Sequence, residues 1–363
     1  MPNHPSRASA ARATTPAAGR RTTERIARAF MAAVAASVLC CGAGCLTYKP
    51  GDLTGPVDAG HQDGGTPDAG IDGGTPDAGP PDGGTQRACA LRGEAPAEPS
   101  FVVSVGGELV EYELRAVLVE SCRLKIPRPV DEAQEVPRDL VQGPDGRVYV
   151  YNGTLEPRLS ILDPITGVWT HHALAGWSTR ADDPRFGGIA LAGDHVYATD
   201  MVTPGAGAPS GLARFDLDGG NATHVSVPVG GPIDVSVGPG DELYVLASDG
   251  RTVTVKDPRS GDVVGAISLD RAVSAIAVRD DGTILGAGVN NLIYLFDLDG
   301  KSMKSMASGT SSLMDIDIGR DGRVLVSSEE GKVVVTNVNL EGQATTFTVA
   351  TDPVFLAFVH ARR

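Results

Sequence analysis

The chain has 363 residues, among them 46 Gly and 25 Pro, and only 5% are aromatic. That length allows one large domain or two ordinary ones, rich in turns and cored by Val, Ile, Leu and Ala. A formal net charge of −14 argues against nucleic acid and against anionic lipid headgroups as surface partners.

Residues 1–44 read as a signal peptide. Six arginines between Arg7 and Arg28 precede Ala29–Leu39, an eleven-residue apolar run too short to span a bilayer. Ala43-Gly44-Cys45 resembles a bacterial lipobox, where small residues precede a cysteine that becomes lipid-modified and N-terminal after cleavage. Gly42 departs from that pattern, which usually has Leu there. The resemblance implies acylation of Cys45 and stable anchoring by more than one chain. Leu46, where an Asp would imply retention in the inner membrane, implies the outer membrane, on its periplasmic face or at the cell surface. A signal peptide cleaved elsewhere is the alternative.

Residues 45–88 are predicted to be a disordered stalk behind that anchor. Asp58, Asp63, Asp68, Asp72, Asp77 and Asp82 recur four or five residues apart, and DGGTPDAG occurs twice. Calcium loops need carboxylates at alternate positions plus a bidentate acid, and this spacing lacks both. Gly and Pro prevent regular structure, and like charges extend the chain. A coil of this length reaches roughly 35–40 Å.

From residue 89 to 363 a single pattern repeats. Its clearest copy is Pro232–Leu269, four short strands joined by three turns. Ile233, Val235 and Val237 alternate with polar residues and glycine, the period of a strand with two unlike faces. Gly238-Pro239-Gly240-Asp241 turns the chain, with glycines that permit positive φ. Leu243–Leu246 is a short apolar run, and Asp249-Gly250 marks a hairpin before the β-branched Thr252–Val255. Asp257–Asp262 turns once more into Val263–Leu269.

The second strand of this unit recurs at Val148, Val196, Leu243, Ile284 and Val324, which are 48, 47, 41 and 40 residues apart. Four strands per period of this length predict a β-propeller. Five blades are complete. Phe101–Val105, Glu108–Leu114 and Val117–Ile126 supply three strands of a sixth, without its innermost one. Asp352–His360 is a lone strand one period after Ile316. The expected fold is therefore an all-β, six-bladed propeller of four-stranded blades, the first blade closed by the C-terminal strand. Closure of that kind removes exposed edges.

Gly146–Val150 and Asp241–Val245 resemble YVTN-type and NHL-type propeller repeats of bacterial surface proteins. The turns Asp163–Gly167 and Asp257–Gly261 resemble quinoprotein-type blades. These motifs imply architecture and no particular chemistry. Cys89 and Cys122 are the pair left after the signal and the lipidated cysteine, and in an oxidising compartment they are expected to form a disulfide.

Propeller ligands usually sit over the central channel. Asp139, Asp234 and Asp315 fall at equivalent positions of alternate blades, where three-fold convergence would hold a cation such as Ca²⁺ or raise their pKa values. The competing and favoured reading has each Asp accept backbone N–H groups within its blade. Trp177, Arg180, Asp182, Asp183 and Arg185 lie in the longest connection, a second candidate binding element. His171 and His172 are expected to be solvated or packed on a turn, with no third metal ligand nearby. No metal or cofactor is expected.

Two functions remain open. One is a monomeric, envelope-anchored, non-catalytic module that binds or scaffolds a protein or glycan partner. In plan it resembles the propeller lipoprotein of the outer-membrane barrel-assembly machinery. The other is a metal-dependent hydrolase, resembling six-bladed lactonases, built on Asp139, Asp234 and Asp315. The motifs of those lactonases have no residue-by-residue counterpart here.

Overall fold

A computed structural model describes residues 88–359, except 96–97, 128–136, 153–157, 174–186, 201–210, 228–229 and 353. The described residues form six four-stranded antiparallel sheets arranged as the blades of a propeller. Blade one holds β1 (Ser100–Val105), β2 (Glu108–Leu114) and β3 (Leu118–Lys125). Blade two holds β4 (Pro137–Gln142), β5 (Val148–Asn152), β6 (Arg158–Asp163) and β7 (Val168–Ala173). Blade three holds β8 (Ile189–Ala192), β9 (His195–Asp200), β10 (Gly211–Asp216) and β11 (Thr223–Ser226). Blade four holds β12 (Pro232–Val237), β13 (Leu243–Ala247), β14 (Thr252–Lys256) and β15 (Val263–Ser268). Blade five holds β16 (Val273–Val278), β17 (Ile284–Gly288), β18 (Leu292–Phe296) and β19 (Ser302–Ala307). Blade six holds β20 (Leu313–Ile318), β21 (Arg323–Ser328), β22 (Lys332–Asn337) and β23 (Thr345–Thr348). The last strand, β24 (Phe355–Val359), returns to blade one and pairs with β1, with Phe358 opposite Phe101.

Burial explains the sequence pattern of each strand. A middle strand has a neighbouring blade on both faces, so it is apolar throughout: Leu243-Tyr-Val-Leu-Ala247 is buried at every position. The outermost strands face solvent on one side and alternate, as in Val263–Ser268. Six apolar clusters fill the six junctions between consecutive blades. Between blades four and five, for example, Leu246, Val253 and Val255 meet Ile276, Ile284 and Phe296. The ring-closing junction joins Phe101, Val103 and Val110 to Leu325 and Val333, with Leu356 and Phe358 of β24 between them.

Tyrosines of the second strands latch neighbouring blades. Tyr149 Oη donates to Leu217 O in the third blade at 3.0 Å, and Tyr197 Oη to Pro258 O in the fourth at 3.5 Å. A buried phenol needs such an acceptor. The Asp-Gly turns have a simple chemistry. Asp145, Asp281 and Asp321 each accept the N–H two residues on, and Gly282 takes a φ of 83°. Gly238 departs from the expectation of positive φ. Its backbone is extended, and the residue is glycine because a Cβ would lie 2.3 Å from the Tyr244 ring.

Candidate functional site

The innermost strands β4, β8, β12, β16, β20 and β24 line the central channel. Asp139, Asp234 and Asp315 occupy the same place on alternate ones, and all three are buried. Each carboxylate makes one bond to its own strand and one to the next blade. Asp139 accepts Leu140 N and Ile189 N, both at 2.7 Å. Asp234 accepts Val235 N at 2.8 Å and Ile276 N at 2.6 Å. Asp315 accepts Ile316 N at 2.7 Å and Leu356 N at 2.9 Å. The backbone bonds thus reach across blades as well as within one, and the third clasp holds the ring-closing strand.

A second tier follows two residues later, where the period of a strand returns to the channel face. Asp317 accepts Ile318 N at 2.7 Å and Phe358 N at 2.8 Å, and Ser236 Oγ accepts Val278 N at 3.1 Å. Asp317 escaped the sequence analysis, because the strand it clasps lies in the next blade. In blades three, five and one the aspartate position is Gly188, Ala275 and Phe355. Gly188 is forced by space, because a Cβ there would lie 2.2 Å from Asp234 Oδ1 and 2.6 Å from Val235 N. Ser274 ties blade five to blade six, with its Oγ 2.6 Å from Leu313 O.

Burial raises the pKa of every one of these acids, because the charged form loses water. Asp139 is pushed well up, first by burial and then by the charges of Asp315 and Asp234. Asp234 is pushed up to about 7 by burial, against the two N–H bonds it accepts. Burial, with the charges of Asp234 and Asp317, takes Asp315 to about 8. Asp317 reaches about 6 by burial, and its half-buried side chain faces the channel cavity. That cavity has a volume of about 360 Å³ and runs from these aspartates along Val141, Leu191, Val237 and Ile318 to Arg320.

On the face where the chain enters the innermost strands there is a second cavity, of about 220 Å³, at the meeting of blades four, five and six. Its lining includes Ile233, Asp249, Val289, Met314 and Glu329. Trp177, Arg180, Asp182, Asp183 and Arg185 lie outside the described residues.

Among the described residues, one set of three ligand-type side chains has donor atoms all within 4.8 Å of one another: Cys89, Glu111 and Cys122. Cys89 and Cys122 are joined in a disulfide, with Cα atoms 5.8 Å apart. Glu111 Oε2 accepts Leu91 N at 3.2 Å and lies 3.6 Å from Cys122 Sγ, and burial raises its pKa. The carboxyl therefore holds the turn that follows Cys89 against blade one. His171 is half-buried on β7. Its Nδ1 lies 2.8 Å from Ser160 Oγ, which also accepts Asn152 Nδ2 at 2.7 Å, and its ring stacks on Trp169. Burial and the Arg158 charge lower its pKa.

No protein-family model matches the sequence, and no curated protein matches it. Solved structures do resemble the fold. A chain of a nidogen/laminin complex is 12% identical with a TM-score of 0.58, covering 73% of this chain and 100% of that one. A protein of unknown function from Bacteroides caccae is 9% identical with a TM-score of 0.51, covering 72% and 99%. Virginiamycin B lyase from Staphylococcus aureus is 14% identical with a TM-score of 0.46, covering 69% and 84%. At these identities the likeness to the first two is one of fold, and the third carries no more than a distant outline. The chain is a six-bladed β-propeller closed through its first blade.

Proposed function

We propose that the protein is an envelope lipoprotein, anchored through Cys45, whose propeller is a non-catalytic module that binds or scaffolds a protein or glycan partner. The observation that carries this reading is the engagement of the channel aspartates. Both oxygens of Asp139, Asp234 and Asp315 accept backbone N–H groups that join blade to blade. These channel carboxylates therefore act as fasteners between blades. A rigid ring with open cavities at both ends suits recognition, since binding surfaces need positions that do not shift.

Crosslinking in intact cells tests the reading. A reproducible partner is expected, and recovery of none would count decisively against it. The metal-dependent hydrolase requires the remaining lone pairs of those same oxygens to reach an ion. Metal analysis of the purified protein beside Asp234→Ala tests that alternative. Stoichiometric Ca²⁺ or Zn²⁺ in the wild type, lost in the variant, would establish the ion and displace the binding module.

A further inference from the structure

The cavity between blades four, five and six has an unequal composition that points to one kind of occupant. Its floor is buried and apolar: Ile233, Val273, Leu313 and Met314. Its rim is polar and open, with Asp249 exposed and Glu329 half-buried. Among the described residues, the two charged ones that line it are acidic, and the nearby Arg251 and Arg271 are exposed and do not line it. Val289, 63% exposed, stands at the same rim. An apolar floor beneath anionic groups matches an amphipathic cation, whose methylenes bury while the charged head stays at the rim.

Asp249 is ionised and able to receive such a head. Burial alone would raise its carboxyl. Hydrogen bonds from the Thr252 hydroxyl, Thr252 N and Arg251 N, together with the charge of Arg251, outweigh that and hold it below the usual range. Two of those bonds fall on Oδ1 and one on Oδ2, at 2.7–2.8 Å. A carboxylate offers about four acceptor sites, so one remains on Oδ2. Glu329 is the second acidic residue of the lining. A volume of about 220 Å³ holds a single extended side chain and excludes a folded domain or a long glycan.

We propose that this pocket seats a lysine-type side chain, an aliphatic stem ending in an ammonium group, presented by a protein partner. The proposal rests on the reading of the propeller as a binding module and names where and by what chemistry it binds. The acidic balance of the chain attracts a basic partner over a longer range.

The test uses the whole chain with n-butylammonium as the probe and n-butyrate as its charge-reversed control, read by methyl NMR. Butylammonium is expected to shift the Met314, Leu313 and Val289 methyls, less so in Glu329→Gln, while butyrate leaves them unmoved. Val289→Lys, a change at an exposed site, places a cation at the rim and should abolish the shifts without altering the melt. Equal shifts from butyrate, or none from butylammonium, overturn the proposal. In intact cells, loss of the crosslinked protein in Val289→Lys supports it. Retention of that protein overturns it and leaves the binding module standing, whereas absence of any partner in the wild type strikes the module itself.

Discussion

Asp234 shows how much one residue does in this ring. A single carboxylate fixes the start of its own strand and the start of the next blade's innermost strand. Asparagine has the same shape but only one acceptor oxygen, so its amide NH₂ would face one of those N–H groups. Asp234→Asn should therefore cost about 1–3 kcal/mol, the penalty of a buried polar group left unsatisfied. Thermal melts near pH 5 check this, and an unchanged midpoint would show that the clasp is dispensable. Turn aspartates act by the same rule at the surface. Asp163 and Asp257 are held below the ordinary carboxylate range, first by the backbone N–H groups of Ile165 and Arg259. Part of the acidity of the chain is therefore turn chemistry, repeated blade by blade.

Among the elements, β24 carries the greatest topological weight. It supplies the innermost strand of blade one, packs Leu356 and Phe358 into the last junction, and receives the clasps of Asp315 and Asp317. Deletion of residues 353–363 would remove all of these at once and expose an apolar face on blade one. The truncated protein should melt well below the full chain in a single lowered transition. A truncated form that melts with the full chain would mean that the ring does not depend on this closure. The outermost strands are different. Val263 and Val264 on β15 are 44% and 54% exposed, so substitutions there leave the junctions untouched.

At the scale of the whole molecule, the buried acids give the ring a pH dependence. Unfolded, Asp234 and Asp315 titrate near 3.8, and folded they titrate near 7 and 8. The native state therefore holds protons that the unfolded state has lost, and stability falls as pH rises between those limits. Acids with lowered pKa, such as Asp249 and Asp281, oppose this only below their ordinary value of 3.8, and the lowered imidazole of His171 opposes it only below 6.5. The melting temperature should thus decline from about pH 5 to about pH 8 and then level off. A rise across that window would contradict the assignment. Asp234→Asn should flatten part of the decline, since it leaves one fewer acid to titrate.

The blades were legible in the sequence because each middle strand is apolar on both faces and each turn carries its own Asp, Gly or Pro. The innermost strand missing from the first blade and the orphan strand at the end of the chain were legible for the same reason. The clasps were legible in position but not in partner. Which N–H Asp234 reaches depends on the neighbouring blade, 42 residues away along the chain. Gly188 carries no signal in its own stretch of sequence, because the oxygen that forbids its Cβ belongs to another blade. The bond of His171 to Ser160 depends on a register between adjacent strands that composition does not fix. The cavity at the rim of blades four to six is formed by short turns far apart in sequence, so no motif announces it.

The disulfide between Cys89 and Cys122 has a mechanical consequence. β1, which pairs with β24 at the closing seam, and β2 beside it both lie inside the covalent loop it makes. A pull on the chain from the N-terminal side of Cys89 passes through sulfur directly into β3, the outermost strand of that blade. Tension therefore bypasses β1 and cannot peel it from β24, so the seam that closes the ring is kept off the path of the load.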